Sequence, residues 1–276
     1  MEFHMKNKLE RSFLNQSLER ALQILCAFTF DTQKLTLTEL SNKLEIPKTT
    51  TYRLASTLMD CGFLNHDETT KHYSLGLKLM ELGSIVYDSF SLRHIASPAL
   101  NELLAKMGNK AVFLAIFRND EVIYIDKKED PRNPIKFATT EVGRHRPPYF
   151  GMFGKVFLAF MAEEESDRIL RQHSLTAIAK RSITDIGLYK AQLCEVREEG
   201  YAFDNEGAFD GISGIASPIW DAGGNVLAAV GVGFISSSVD DVSEHYVVES
   251  VKETARIISE QLSCIMIPCT VKGRIC

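Results

Sequence analysis

Residues 36–54 read TLTELSNKLEIPKTTTYRL and predict two helices joined by a tight turn. Thr36 and Glu39 have the spacing of a capping box, in which each side chain accepts a hydrogen bond from a backbone amide at the start of a helix. The first helix is therefore predicted at residues 37–44. Pro47 follows a short turn, and it can open the second helix because the first residue of a helix has no amide partner to lose.

The segments on either side extend this pair into a winged helix-turn-helix. Upstream, apolar residues recur at helical spacing over residues 18–26, with Ser17 as the expected N-cap. Gly62 is expected to end the second helix of the pair. Two short segments, FLNH at 63–66 and HYSLG at 72–76, flank a polar turn and predict a hairpin. A hairpin in this place is the wing of a fold whose recognition helix enters the major groove of DNA.

The outward face of the recognition helix is polar and almost uncharged. Helical periodicity places Thr51, Leu54, Ala55 and Leu58 on the inner face. The opposite face supplies hydroxyls and an arginine, which can hold phosphates or read guanine edges. The predicted DNA-binding residues are Lys48, Thr49, Thr50, Tyr52, Arg53, Ser56 and, at the wing tip, Lys71. The alternative for this segment alone is an ordinary solvated helix face.

Composition and charge limit the kinds of partner. The chain has 276 residues, of which 45% are apolar and 24% are charged, and this composition excludes disordered and collagen-like classes. Its net charge of -5 argues against a protein that coats nucleic acid by bulk charge. Residues 1–85 carry ten lysines and arginines against ten aspartates and glutamates. Tight binding to DNA is therefore expected to need two or more copies on one site.

The remainder of the chain predicts a mixed sensing domain. Residues 77–107 are helical in pattern, but Pro98 is expected to break them, so two helices separated near Ser97 are predicted, the first of them a linker. Residues 111–117 and 122–126 predict a β-hairpin. Further helices are predicted at 163–171, 188–199 and 247–265, and further strands at 215–220 and 226–234. This pattern favours an α+β, GAF-like antiparallel sheet with flanking helices over a doubly wound sheet.

Signatures of catalysis and of metal binding are incomplete. A dinucleotide fingerprint begins at Gly231, but Ser236 replaces its last glycine. A nucleophile elbow begins at Gly211, but Ile215 replaces its last glycine. The six cysteines lack the spacing of a metal site, which indicates reduced thiols. We therefore predict no catalytic residues, no cofactor and no metal.

The sequence also argues against a membrane partner. No apolar run approaches the roughly 18 residues of a membrane helix. The charged N-terminus lacks the apolar segment of a secretory signal. We therefore expect a cytoplasmic protein.

Several short motifs follow one another in a characteristic order over residues 15–262. They are SLERALQIL at 17–25, TELS at 38–41, IPKTTTYRL at 46–54, CGFL at 61–64, YSLG at 73–76, GK at 154–155, GYAFD at 200–204 and ASPI at 216–219. Their joint order resembles the IclR family of bacterial transcription regulators. The resemblance implies a GAF-like effector-binding domain and assembly as a dimer or a dimer of dimers.

The resemblance also implies where an effector binds. In the family a loop ending in Gly-Lys, here residues 149–155, faces the acidic stretch that ends at residue 204 and the two strands that follow it. The implied lining residues are Met152, Phe153, Asp204, Ile212, Gly214, Gly231 and Gly233. Small residues are common in the family at the first two of these positions. Here Met152, Phe153 and Ile212 would provide apolar and aromatic walls, the three glycines would leave space, and few side chains could donate hydrogen bonds. We therefore expect a larger, partly aromatic or otherwise apolar effector. The alternative is that Met152 and Phe153 fill the space, and that the glycines only serve close strand packing.

These patterns divide the chain into a winged helix-turn-helix domain at 1–76, a linker helix at 77–95, an effector-binding domain at 96–267 and a tail at 268–276. The predicted function is a transcriptional regulator that binds a palindromic double-stranded DNA operator as a homodimer or homotetramer, under the control of a small organic effector. The alternative is a non-DNA sensor or an enzyme that uses the winged module to bind a partner.

Overall fold

The computed structural model describes residues 15–89, 91–108, 110–129, 140–238 and 241–266. The chain divides after residue 90 into two compact units. The N-terminal unit contains α1 (Gln16–Cys26), β1 (Leu35–Thr36), α2 (Leu37–Leu44), α3 (Lys48–Asp60), β2 (Leu64–His66), β3 (His72–Leu75) and α4 (Leu77–Ser89). Its three strands form an antiparallel sheet in the order β1-β3-β2. The predicted winged helix-turn-helix is confirmed, and β1 is an addition to it.

Local capping explains where these helices begin. The capping box of α2 is confirmed, because the Glu39 amide donates to Thr36 Oγ1 at 3.3 Å and the Thr36 amide donates to Glu39 Oε2 at 2.7 Å. The predicted N-cap of α1 is wrong: Asn15 rather than Ser17 accepts the hydrogen bond from the Leu18 amide. α3 begins one residue later than predicted, with Pro47 as its N-cap.

A small apolar core joins the three N-terminal helices to the wing. Ile24, Leu40, Ala55, Leu64 and Tyr73 are all buried in it. Each comes from a different element, namely α1, α2, α3, β2 and β3. The wing is therefore part of the folded unit, because its strands contribute directly to the same core as the recognition helix.

The C-terminal unit is built on a six-stranded antiparallel sheet with the order β6-β5-β4-β9-β8-β7. Its elements are α5 (Ser91–Met107), β4 (Ala111–Arg118), β5 (Glu121–Glu129), β6 (His145–Arg146), α6 (Gly151–Phe160), α7 (Glu163–Gln172), α8 (Ile186–Glu199), β7 (Ala202–Phe209), β8 (Ile212–Trp220), β9 (Val226–Ile235) and α9 (Asp241–Met266). The predicted α+β class with an antiparallel sheet is confirmed. None of the described helices is both long and apolar enough to cross a membrane.

Helices pack on the sheet in two groups. α6 packs on β7, β8 and β9 and against α8, whereas α5 and α9 pack together and against the sheet. Alternate strand residues such as Phe113 and Ala216 belong to the α6 cluster. Their neighbours Leu114 and Ile215 are just as deeply buried and point to the other face, as the two-residue period of a strand requires.

The strand register is irregular at β7, which lies at one edge of the sheet. Asn205 pairs with Ser213, but the next paired residue of β7 is Phe209, opposite Ile212. Glu206 lies between them with a φ of 59°. The edge strand therefore contains a bulge in the middle of its pairing with β8.

Two predictions about helices are wrong. The break near Ser97 is absent, because Pro98 lies inside α5 and the preceding helix ends at Ser89. An interior proline costs about 3 kcal/mol, and burial of Ala96, Leu100 and Leu103 on the same helix offsets that cost. Residues 149–155 are not simply a loop, because α6 begins at Gly151. The predicted tail at 268–276 lies outside the described residues.

Candidate nucleic-acid interface and effector site

The turn between α2 and α3 is held by buried hydroxyls. Ser41 Oγ donates to the Ile46 carbonyl at 2.6 Å, and Thr51 Oγ1 lies 3.3 Å from the same oxygen and 3.2 Å from the Pro47 carbonyl. Glu45 takes a left-handed conformation with a φ of 55°. These contacts fix the angle at which α3 leaves the turn, and they place Thr51 on the inner face as predicted.

The opposite face of α3 is open. Lys48, Thr49, Tyr52 and Arg53 are exposed, whereas Thr50 and Ser56 are partly buried. Among the described residues, neither the Arg53 guanidinium nor the Lys48 ammonium forms an ion pair. Both cations are therefore available to phosphates or base edges, which is the arrangement that a recognition helix needs.

The wing tip is a short turn closed by a carboxylate. Asp67 Oδ1 accepts hydrogen bonds from the amides of Thr69 at 2.8 Å and Thr70 at 3.1 Å. A hydrogen bond from the Thr70 side chain, followed by these two amides, keeps the pKa of Asp67 below its ordinary value. Lys71 Nζ lies 2.9 Å from Glu68 Oε2, and both side chains are largely exposed. Exposed pairs of this kind are worth about 0–1 kcal/mol, so Lys71 can exchange Glu68 for a phosphate.

Four of the predicted effector residues meet between α6 and the sheet. A Cβ at Gly214 would lie 2.5 Å from Met152 Sδ, and a Cβ at Gly231 would lie 2.9 Å from Met152 Cε and 3.0 Å from Phe153 Cζ. Met152 and Phe153 thus occupy the space that the two glycines leave. The glycines are required for α6 to approach the strands this closely.

Aromatic side chains continue this contact region along the sheet. The Phe153 ring lies 5.5 Å from the Tyr124 ring, edge to face, and Phe113 lies 5.8 Å from Tyr124. Burial raises the pKa of the Tyr124 phenol well above its ordinary value. Gly233 pairs with Gly214 across β8 and β9, and Ile212 is partly buried against the same cluster. The surroundings of the predicted site are therefore apolar and aromatic.

Asp204 differs from the other six predicted positions because its carboxylate is already engaged. Lys155 Nζ donates to Asp204 Oδ1 at 2.9 Å and to the Phe203 carbonyl at 3.1 Å. The Ala208 amide donates to Asp204 Oδ2 at 3.0 Å. The Lys155 and Asp204 side chains are only 8% and 7% exposed. A ligand would have to compete with Lys155 for this carboxylate. Apart from the Gly-Lys motif, no sequence pattern indicates that partner.

The described residues offer no evident metal site. Within them, no group of three or more histidine, cysteine, aspartate or glutamate side chains could hold a metal ion. Cys26, Cys61 and Cys194 are free, exposed thiols.

Comparisons with known proteins place both units in one family. Residues 17–68 match the IclR helix-turn-helix domain, and residues 85–260 match the family described as bacterial transcriptional regulator IclR C-terminal. The HTH-type transcriptional regulator XynR of Escherichia coli K12 is 30% identical over 247 residues, which cover 90% of this chain and 97% of that protein.

Solved structures agree with this match. The IclR transcriptional regulator from Alicyclobacillus acidocaldarius superposes with a TM-score of 0.81 at 31% identity, covering 91% of this chain and all of that one. An IclR homologue from Microbacterium hydrocarbonoxydans, crystallised with 4-hydroxybenzoate, shares the fold with a TM-score of 0.75 at 22% identity, over 90% of this chain and 99% of that one. The chain therefore belongs to the IclR family of bacterial transcriptional regulators, with a DNA-binding helix-turn-helix unit followed by an effector-binding unit.

Proposed function

We propose that this protein regulates transcription in the cytoplasm by binding a two-fold symmetric operator as a homodimer or homotetramer. A small, partly aromatic effector in the C-terminal unit would change its affinity for that operator. The observation that carries the DNA-binding part is the exposed face of α3, where Arg53 and Lys48 have no ion-pair partner among the described residues. The relatives found are named as transcriptional regulators, which supports regulation rather than catalysis.

The first prediction concerns DNA contact. Arg53→Ala is expected to lower affinity for the specific operator by about 1–3 kcal/mol, or about 5- to 150-fold, if the guanidinium reads a base edge. Lys71→Ala should instead weaken binding to all duplexes similarly and lower the salt slope by about one, because Lys71 would contact a phosphate. Fluorescence anisotropy over a salt series, with an operator selected from random duplexes, measures both effects.

Lys106→Ala is the matched control, because it removes an exposed positive charge from the C-terminal unit. Wild-type affinity and salt slope in both variants would contradict this mode of docking.

The selection step also distinguishes the alternative function. Recovery of a two-fold sequence supports the regulator, whereas weak and uniform retention of all duplexes would favour a winged module that binds another kind of partner.

The second prediction concerns assembly. α4 exposes a run of apolar side chains, among them Leu77 at 66%, Met80 at 69% and Ile85 at 65%. A run of this size on one helix is unusual on a monomer, and one module without net charge contacts too few base pairs for specificity at cellular salt. Light scattering is therefore expected to give the mass of a dimer or tetramer.

Changing Met80 and Ile85 together to glutamate should shift the protein toward monomer and reduce operator affinity. Glu81→Gln on the same helix is the control and should leave the mass unchanged. A wild-type monomer at micromolar concentration, with and without operator, would contradict the proposal.

The third prediction concerns the effector. An apolar ligand would pack on Phe153 and displace the flexible Met152 side chain from its place over Gly231. A small acid would need several hydrogen-bond donors, because a buried anion without partners costs several kcal/mol, and Lys155 is already engaged by Asp204. Phenols and aromatic acids are therefore expected to raise the melting temperature of the full chain in a thermal-shift screen.

Phe153→Leu should reduce this ligand-induced shift, because it removes the ring and keeps an apolar side chain of similar bulk. Phe30→Leu, in the N-terminal unit, is the control and should leave the shift intact. A response confined to two- or three-carbon acids such as glyoxylate or pyruvate would show that the site is not apolar.

A further inference from the structure

A separate cavity with a mixed polar and aromatic lining lies in the C-terminal unit. It encloses about 270 Å³ and is bordered by the start of α6, one face of α8, strand β7 and the segment 176–183. Of the seven residues predicted to hold the effector, only Asp204 lines it. The cavity is therefore distinct from the contact region of Met152 and Phe153 with the sheet glycines.

The α6 side of this cavity is already satisfied. Lys155 and Asp204 form their buried ion pair there, and Lys155 also donates to the Phe203 carbonyl. The Tyr189 hydroxyl donates to the Tyr149 carbonyl at 3.1 Å. The polar groups on this side already have partners, so a charged or hydrogen-bonding ligand group would gain little there.

The α8 side is different, because it carries hydrogen-bond acceptors that receive no hydrogen bond from the described residues. Gln192, Glu195 and Glu199 line the cavity at positions i, i+3 and i+7, which lie on one face of a helix. The Gln192 Oε1 atom is buried and receives no hydrogen bond from the described residues. Within the same part of the chain, neither glutamate carboxylate forms an ion pair. A ligand group that fits this face must bring hydrogen-bond donors and positive charge.

Aromatic rings complete the lining. Tyr149, Tyr189, Tyr201 and Phe203 all border the cavity. Lys252 Nζ lies 5.9 Å from the Tyr201 ring centroid, so one of these rings already faces a cation. Arg181 at the rim is held by Asn205 Oδ1 at 3.1 Å. Among the residues that line the cavity outside the Lys155–Asp204 pair, two carboxylates face one guanidinium, and Lys252 lies beside the Tyr201 ring without lining the cavity. Carboxylates and aromatic faces both attract organic cations.

We propose that this cavity binds a small organic cation, a primary ammonium group on an aromatic body, as a second ligand site of the protein. The ammonium group donates a hydrogen bond to the Glu195 carboxylate and, once the Gln192 amide rotates toward the cavity, a second one to Gln192 Oε1. The aromatic body packs against the tyrosine rings.

Isothermal titration calorimetry of the full chain tests this with three molecules of similar shape: phenethylamine, 2-phenylethanol and phenylacetate. Phenethylamine is expected to bind at least about tenfold more tightly than the other two, which is the range for a hydrogen bond that involves a charged group. Gln192→Leu and Glu195→Gln should each weaken its binding by about tenfold. Glu198→Gln is the control, because Glu198 is exposed on the same helix and does not line the cavity.

Glu195 is exposed, so Glu195→Gln is expected to fold normally and keeps the test valid if Gln192→Leu is unstable. Absence of phenethylamine binding at millimolar concentration would overturn the proposal. Preference for phenylacetate, or binding that Gln192→Leu and Glu195→Gln leave as strong as Glu198→Gln does, would also overturn it. Operator affinity without ligand should be the same in all three variants, so this test is independent of the DNA-binding function.

Discussion

Asp204→Ala is expected to lower the free energy of unfolding of the C-terminal unit by about 3–5 kcal/mol, the cost of leaving a buried charge without its partner. Lys155 would keep only the Phe203 carbonyl as an acceptor. The Ala208 amide would lose its hydrogen bond in the same step. Denaturant unfolding followed by tryptophan fluorescence measures this loss, because Trp220 in β8 is the single tryptophan of the chain.

Two controls separate the ion pair from a general effect of charge. Glu198→Gln removes an exposed carboxylate and should change stability by less than about 0.5 kcal/mol. Asp204→Leu combined with Lys155→Met should recover much of the loss, because an apolar pair of similar volume can replace a buried ion pair. A loss below about 1 kcal/mol in Asp204→Ala would contradict the assignment of this pair as buried and mutually dependent.

Gly76→Ala is expected to destabilise the N-terminal unit by about 3 kcal/mol, at the upper end for overpacking, and to abolish operator binding. A Cβ at Gly76 would lie 2.2 Å from the Gly62 carbonyl oxygen and 2.8 Å from the Phe63 carbonyl carbon. Both are backbone atoms, so no side-chain rotation relieves the clash. The Gly76 amide also donates to the Phe63 carbonyl at 2.8 Å, which ties the end of the wing to the end of α3.

Gly83→Ala is the matched control, because a Cβ at Gly83 would meet no atom within 4 Å. Gly83 lies inside α4, so its replacement should raise stability by about 0.5–1 kcal/mol. Hydrogen exchange of α3 and the wing, together with operator binding by anisotropy, measures both variants. A Gly76→Ala protein that exchanges and binds like the wild type would refute the close approach of the wing to α3.

Elements that depend on local chemistry were predictable from the sequence. The capping box at Thr36 and the turn chemistry of the wing act between residues that are close in the chain, and both are observed. α6 was missed because it is buried on nearly all sides, so its sequence, GMFGKVFLAF, has no polar face to produce a helical period. The helix break predicted near Ser97 is wrong, because the packing of α5 outweighs the local tendency of Pro98 to end a helix.

The DNA-binding face of α3 and the effector site differ in how far they can be predicted from local sequence. The open face of α3 follows from helical periodicity within one element, and the exposures of Tyr52 and Arg53 agree with it. The effector positions depended on the family resemblance, because Met152 and Gly231 are far apart in the sequence. The Lys155–Asp204 pair joins residues 49 positions apart, and no periodicity within one element could predict it.

The bulge in β7 has a consequence for how copies of this protein can associate. An ordinary edge strand offers a row of unpaired amides and carbonyls to which another chain can add a strand. Here the Ala208 amide is bound by Asp204, and the Gly207 carbonyl accepts a hydrogen bond from Ser182 Oγ at 2.7 Å. With those groups occupied and the strand bent at Glu206, this edge resists sheet-to-sheet aggregation. The assembly that we propose for this protein is therefore expected to use helical surfaces such as that of α4, and not this sheet edge.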